Sequence, residues 1–309
     1  MSEWIKAARL RTLPLSLSGI IVGSFIARWR MSEAEDKWNI EVFVLALLVT
    51  LLYQVLSNYA NDYGDALKGT DSLRSSSAEA RSVASGKISS KSMRMAIVLV
   101  AVLSLIATLA LLYVAFLQDG FHKGFTVLLV LGILSILAAV GYTLGRKPYG
   151  YMGLGDIMVF LFFGILSVCG SYYLFTREFH WDMLLPASAI GLFSAAVLNL
   201  NNMRDMESDR ITGKKTLALR LGYRNAMIYQ MVLLQLPHIL LLVFLMLNGL
   251  HEKGQYYAFI VMVMLFPTAA LRRRILQSKS REELDGFLKQ IGIITFATSI
   301  LLAAGLNMY

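Results

Sequence analysis

Apolar residues in this chain run in blocks of about twenty, and the stretches between the blocks hold nearly all of the charge. Windows of that length predict nine spans, near 12–28, 40–60, 95–117, 124–145, 154–175, 183–202, 227–248, 256–276 and 290–308. Such a block crosses hydrocarbon as a helix, which pairs its backbone N–H and C=O groups internally. No long polar or low-complexity tract interrupts the series, so the expected fold is one all-α integral membrane domain over residues 1–309.

Two interruptions are longer than the rest, about 61–94 and about 203–226, and each opens on a cluster of Asn and Asp. The first reads Asn58-Tyr59-Ala60-Asn61-Asp62-Tyr63-Gly64-Asp65, continuing to Lys68 and Asp71. The second reads Asn201-Asn202-Met203-Arg204-Asp205-Met206-Glu207-Ser208-Asp209, followed by Lys214 and Lys215. They close the second and sixth spans. This degenerate repeat, offset by four helices, predicts two pseudo-symmetric four-helix halves plus a ninth helix.

Composition agrees with a lipid solvent. The 309 residues are 57% hydrophobic and 16% charged, with mean hydropathy +0.60, too little charge to cover a soluble globule of this size. The net charge of +9 would suit nucleic acid, but the basic residues sit between spans on one side. With the N-terminus cytoplasmic, only Arg28, Arg30, Lys37, Lys123, Arg177 and Lys253 of the 29 Lys and Arg fall outside. The positive-inside rule therefore selects N-in, C-out and an odd number of spans, and no nucleic-acid partner is needed to explain the charge. The first span follows a charged start with no small-residue cleavage site evident after it, and reads as a retained anchor. The single Cys169 lies in an apolar run and forms no intrachain disulfide.

On a helix, Asn58, Asp62 and Asp65 stand at i, i+4 and i+7, and Asn201, Asp205 and Asp209 at i, i+4 and i+8, so each set shares a face. Both sets fall at helix C-terminal ends, where the macrodipole is already negative. Two solutions compete. Protonation would explain the acids alone. Mg²⁺ shared between carboxylates and phosphate oxygens also explains the Asn oxygens, which complete a shell without adding charge, and the nearby cations. On the second reading Asp62, Asp65, Asp71, Asp205 and Asp209 with Asn58 and Asn201 are the metal ligands. Asn61, Lys68, Arg81, Asn202, Arg204, Lys214 and Lys215 are then the phosphate-side contacts. The blander alternative for each cation is a topology-setting surface charge. His122, His180, His238 and His251 have no ligand spacing, and His238 beside Pro237 reads as a packed residue at a kink. The Ser-rich stretch 72–77 is expected to close over a bound anion.

At these residues the chain resembles the UbiA-type intramembrane prenyltransferases, which carry one Asn/Asp-rich motif after the second helix and another after the sixth. Asn61-Asp62-Tyr63-Gly64-Asp65 matches the family's Asn-Asp-x-x-Asp. Many relatives have a further Asp at the position of Gly69, whereas here the acid comes at Asp71. That spacing is similar to the branch acting on 1,4-dihydroxy-2-naphthoate in menaquinone synthesis. So are Asn201 to Asp205, the run Gly213 to Gly222, and the stretch from Tyr142-Thr143 through Gly153-Leu154-Gly155-Asp156 into Phe160, Phe162, Phe163 and Gly164. Arg9-Leu10-Arg11-Thr12-Leu13-Pro14 is similar to the branch's opening Arg-Pro-x-Thr-Leu-Pro, with Leu10 in place of the first Pro.

The resemblance implies a polyprenyl diphosphate and 1,4-dihydroxy-2-naphthoate as substrates, Mg²⁺ as cofactor, and a site facing the cytoplasm in a bacterial inner membrane. Asp62, Asp65, Asp205 and Asp209 would hold metal ions that neutralise the diphosphate. Tyr142, and with less reason Tyr149 and Tyr151, would face the allylic cation, and Lys147 would receive the acceptor carboxylate. Other aromatic acceptors (4-hydroxybenzoate, homogentisate, haem) are the alternatives within the chemistry. A proton-coupled transporter is the alternative outside it, but that reading wants acids at mid-span, where this chain has almost none.

Overall fold

The computed structural model describes residues 3–32, 38–69, 81–116 and 123–308, apart from the Arg11 side chain; Asp71, the Ser-rich stretch 72–77 and His122 lie outside the described residues. The described chain is helical. A short helix α1 (Glu3–Ala8) and a turn at Leu10–Thr12 lead into α2 (Leu13–Met31), α3 (Ile40–Leu67), α4 (Ser90–Phe116) and α5 (Lys123–Gly141). Helix α6 (Gly155–Val159) runs through a π-turn, Phe160–Leu166, into α7 (Ser167–Thr176). Helices α8 (Leu184–Arg204), α9 (Met206–Ile211) and α10 (Leu217–Leu247) follow. The 3-10 segment Tyr256–Met264 continues into α11 (Leu265–Leu276), and α12 (Asp285–Asn307) ends the fold.

Among the described residues seven helices are long and apolar enough to cross a membrane: α3, α4, α5, Gly155–Thr176, Trp181–Arg204, α10 and Glu282–Asn307. Their outer faces carry exposed Leu, Ile and Val, such as Val98, Leu99 and Ile106 on α4 and Val127, Val130 and Leu137 on α5. In water such faces would aggregate, and in lipid they are solvated.

Local chemistry sets the ends that matter for the site. The Asn39 carboxamide oxygen caps α3 by accepting from the Glu41 and Val42 amides at 2.7 and 3.4 Å. Running 28 residues, about 42 Å at 1.5 Å per residue, α3 is longer than the roughly 30 Å hydrocarbon core. Thr216 caps α10 at the Leu219 amide. Within the second acidic cluster α8 ends at Arg204 and α9 begins at Met206, so Asn201, Asp205 and Asp209 do not share one unbroken helix. The Asp205 and Asp209 amides still donate to the Asn201 and Asp205 carbonyls, which keeps the i, i+4 spacing across the break.

Helix α3 packs on α4 and α8 on α10, while α12 lies against α2 and α8. The α2–α7 seam uses small residues: a Cβ added at Gly23 would lie 2.2 Å from the Val168 carbonyl oxygen, and one at Gly19 2.2 Å from Ser167 Oγ. Such contacts draw membrane helices together where water exclusion cannot. The interior of α8, α10 and α12 is filled by side chains including Ile190, Phe193, Leu233, Leu241, Phe244 and Leu302. The space bounded by α2, α3, α4, α5 and α6–α7 is not, and holds a cavity of about 310 Å³.

Candidate active site

The C-terminal ends of α3 and α8–α9 meet across the turn Tyr149–Tyr151. The Tyr151 hydroxyl donates to Asp65 Oδ1 at 2.9 Å. Its ring lies 3.9 Å below Lys68 Nζ and 5.4 Å from Lys214 Nζ, and Lys214 stands 3.7 Å from Asp209 Oδ1. The Lys215 amide donates to the Tyr151 carbonyl at 3.0 Å and Arg220 to that of Met152 at 2.7 Å. One tyrosine turn thus joins both acidic clusters on one side of the bundle.

The four aspartates sit in built surroundings. Asp62, 2% exposed, accepts from the Ser82 and Val83 amides at 3.2 and 3.1 Å. Asp65, also buried, pairs with Arg81 Nη2 at 2.7 Å. Arg204 forks Asp205 with two bonds of 2.7 Å, reaches Asp285, and donates to the Asn201 oxygen at 2.8 Å. Asn202 is buried, and its Oδ1 has no hydrogen-bond partner among the described residues.

Other residues of the two motifs hold the frame. Asn58 donates to the Ala8 carbonyl at 2.8 Å and to Thr12 at 3.3 Å, tying α1 to the C-terminal part of α3. Asn61 accepts from Thr143 at 3.3 Å, and Thr143 also donates to the Ala60 carbonyl at 2.9 Å. Lys147 is exposed on the turn after α5, and Lys215 is exposed with its backbone engaged.

Electrostatics knit the same groups together. Burial, then the charges of Asp65, Asp156 and Asp209, hold the Tyr142 phenol far above its ordinary pKa, with Arg9 pulling the other way. The phenol therefore stays neutral and senses the charge of both acidic clusters. Lys68 is pushed below the ordinary lysine range by burial; Asp65 opposes this and Lys214 adds to it. Arg9 is placed by a left-handed backbone, φ 51° and ψ 62°, between α1 and the Leu10–Thr12 turn. That conformation is uncommon for a side-chain-bearing residue and clusters at functional sites.

Below this polar end the cavity passes Asn58, Asn61, Tyr142 and Tyr149 and becomes apolar toward Leu111, Leu128 and Leu174. From Asn61 to Ala46 its lining follows one face of α3 through fifteen helical steps, about 22 Å. Its walls include the inner faces of both α5 and α6–α7, whereas α5 itself packs chiefly on α3 and α4.

Sequence reasoning found the acids but underrated Tyr151 and left Arg9 and Asp156 outside the site. A carboxylate at the head of an apolar span, between Gly155 and Ile157, was the available signal for Asp156.

Known proteins agree with this picture. The model of the UbiA prenyltransferase family matches residues 17–299. The chain is 39% identical to a 1,4-dihydroxy-2-naphthoate octaprenyltransferase of Haemophilus influenzae over 99% of its length and 96% of the relative's. It is 46% identical to the protein of the same name in Escherichia coli, over 75% of this chain and 72% of that one. Among solved structures, an Archaeoglobus fulgidus UbiA homolog bound to DMAPP and Mg²⁺ superposes with a TM-score of 0.68 at 16% identity, all of each chain covered. A UbiA homolog from Aeropyrum pernix scores 0.68, also at 16% identity, over 96% of this chain and 97% of that one. An all-helical fold in which one tyrosine joins two acidic clusters, with a family match from residue 17 to residue 299, makes this chain a member of the UbiA prenyltransferase family.

Proposed function

We propose that this protein transfers a polyprenyl group from a polyprenyl diphosphate to 1,4-dihydroxy-2-naphthoate, releasing diphosphate and carbon dioxide. The observation that carries the chemistry is the meeting of both acidic clusters across Tyr151, beside a cavity that Asn58 and Asn61 of the first cluster help to line. The acceptor follows from the names of the relatives at 39% and 46% identity. Counting α2 and Tyr256–Leu276 with the seven long helices gives nine spans, arranged as two four-helix halves plus α12. With the N-terminus cytoplasmic and the C-terminus outside, the acidic end faces the cytoplasm of a bacterial inner membrane.

The donor set suits magnesium: it is all oxygen, and four buried aspartates lie at one end. Among the described residues no group of three acidic, His or Cys side chains is placed to hold a metal ion by itself, so substrate phosphates and water would have to supply the rest of the shell. Asp62, Asp65, Asp205 and Asp209, with Asn201 as a neutral donor, would hold it. When bound, magnesium neutralises the diphosphate and stabilises it as a leaving group. UbiA homologs crystallised with Mg²⁺ and DMAPP or GPP support this reading.

Arg81, Lys68 and Lys214 bracket the diphosphate, and the neutral phenol of Tyr142 faces the allylic carbon. The bond from that carbon to oxygen breaks with its electrons leaving on diphosphate. The ring carbon bearing the carboxylate bonds to the allylic carbon, and the bond to the carboxyl carbon then breaks, returning its electrons to the ring as carbon dioxide departs. The apolar walls keep out water that would capture the cation as an alcohol. An extended chain advances about 3.5 Å per three bonds, so a four-bond isoprene repeat adds about 4.7 Å and the 22 Å lining holds about four or five repeats. A longer tail leaves sideways between α5 and α6–α7 into lipid.

The test supplies purified protein with carboxyl-labelled dihydroxynaphthoate, polyprenyl diphosphate and Mg²⁺. Labelled carbon dioxide and prenylated quinol in equal amounts are expected. Folded protein that releases no label, or that prenylates 4-hydroxybenzoate in preference, overturns the acceptor assignment.

A further inference from the structure

Arg204, the last residue of α8, is 7% exposed, and its guanidinium is gripped from two directions. On one edge Nε and Nη2 fork the two oxygens of Asp205, each at 2.7 Å, and Nη2 also donates to Asn201 Oδ1 at 2.8 Å. On the other side Nη1 donates to Asp285 Oδ1. A guanidinium carries five N–H groups in one rigid plane, and these four bonds direct most of them at protein oxygens. Asp285 comes from a distant part of the chain, as the first residue of α12. Its place is fixed by Leu284, fully buried, and by Phe287, which share an apolar cluster with Leu200 and Met203 of α8. Arg281 and Glu207 also link the two segments, at 2.9 Å, but that pair is exposed and contributes little. An acid on the first residue of a helix is ordinarily explained by the helix dipole. The dipole does not account for a carboxylate turned onto the buried guanidinium of another helix.

Arg204 and Asp205 alone would make a neutral pair, and a neutral pair attracts a cation weakly. Asp285 adds a second carboxylate, so the three side chains together carry a net charge of −1. It also gives Arg204 a partner that does not depend on Asp205, and a buried guanidinium deprived of its partner is costly. On the reading of Asp205 as a magnesium ligand, we infer that Asp285 is a positioning residue for the second acidic cluster. By holding Arg204 from α12, it lets Asp205 give an oxygen to a divalent cation while the guanidinium stays paired.

The experiment measures binding of a non-reactive thio-analogue of the prenyl diphosphate to the full-length protein by calorimetry, with and without Mg²⁺, together with initial rate against Mg²⁺ concentration. Asp285→Asn removes the charge and keeps a residue suited to a helix start. It is expected to lower the Mg²⁺-dependent part of the affinity about tenfold, the difference between a charged and a neutral acceptor, and to raise the Mg²⁺ concentration for half-maximal rate about as much. At saturating Mg²⁺ its kcat should return to within about threefold of the parent, and Asp285→Glu, which keeps the carboxylate, should bind within about threefold at all Mg²⁺ concentrations. With Arg204→Gln in place, Asp285→Asn should cost no more than about twofold. Parental Mg²⁺-dependent affinity in Asp285→Asn, or a loss of kcat that saturating Mg²⁺ does not restore, overturns the inference. An equal loss in the Arg204→Gln background also overturns it, since the charge would then act through space and not through Arg204. Should Arg204→Gln fail to insert, Glu282→Gln decides. This exposed acid three residues before Asp285 should leave the Mg²⁺ dependence within about twofold, and a tenfold loss there would again mean a through-space effect. A parent with no Mg²⁺-dependent affinity removes the magnesium reading and this role with it, whereas a Mg²⁺-dependent parent matched by Asp285→Asn removes this role alone.

Discussion

Replacing Tyr151 with Phe removes a single hydroxyl from the joint between the two acidic clusters. That hydroxyl donates to Asp65 at 2.9 Å, and a hydrogen bond to a charged group contributes about 1.5–3 kcal/mol. Arg81 pairs with the same carboxylate at 2.7 Å and keeps it partnered, so about 1–2 kcal/mol is the share expected to be lost. At 1.4 kcal/mol per factor of ten this is a fall of about 5- to 30-fold in kcat/KM for the prenyl diphosphate. Tyr151→Leu removes the ring as well, and with it the contact to Lys68 at 3.9 Å. A cation over an exposed ring contributes about 0.5–1 kcal/mol, a further loss of about two- to fivefold. The assay is initial rate against prenyl diphosphate with acceptor saturating. Tyr151→Phe within twofold of the parent, or a loss confined to acceptor KM, would refute the placement of Tyr151 between the two substrate-binding ends.

Three other outcomes are expected. Gly64→Ala puts a Cβ 2.5 Å from Thr143 Oγ1 and 3.1 Å from that residue's backbone carbon, so it should destabilise the protein by about 1–3 kcal/mol, with Thr143→Gly restoring the melting temperature in the double variant. Arg30→Ala, at the far end of α2 beside Asp182, Asn248 and Tyr172, should cost about 2–3 kcal/mol of stability in a thermal melt while leaving kcat unchanged. Because burial depresses the Lys68 pKa, this side chain loses its proton below the ordinary lysine range and then no longer attracts diphosphate. KM for the diphosphate should therefore rise through that alkaline window; Lys68→Arg, which stays charged, should flatten the limb, and an unchanged limb would remove Lys68 from the site.

The long apolar runs were legible because lipid demands them: seven of the nine predicted spans coincide with helices long and apolar enough to cross a membrane, α3 and α10 running longer than predicted. The i, i+4, i+7 set on α3 was legible for the same geometric reason. The break at Asp205 was not, since no Pro or Gly marks it and both flanking segments favour helix. Nor was the break in α10, which falls at Gly222, φ 75° and ψ 159°, while Pro237, the expected kink, lies inside the helix. His238 there is buried and bonded to Thr268 at 3.0 Å. Lys147 follows Arg146 in a basic turn that reads alike whether it points into a site or into water, and it is exposed. The π-turn Phe160–Leu166 depends on packing across helices: a Cβ at Gly164 would meet the Ala187 carbonyl oxygen at 2.6 Å, a contact no local pattern encodes. For the same reason no local pattern revealed the cavity among α2 to α7, or that Phe193 and Phe244 fill the interior of α8, α10 and α12 by meeting side chains from other helices.

Binding of a non-reactive thio-analogue of the prenyl diphosphate, titrated with and without Mg²⁺ by calorimetry, tests most directly whether the two clusters share one anion. Asp62→Ala and Asp205→Ala should each abolish the Mg²⁺-dependent part of the affinity while folding and insertion stay intact, and the double variant should be no worse than either. Retention of parental Mg²⁺-dependent affinity by either single variant would mean that one cluster binds the substrate alone.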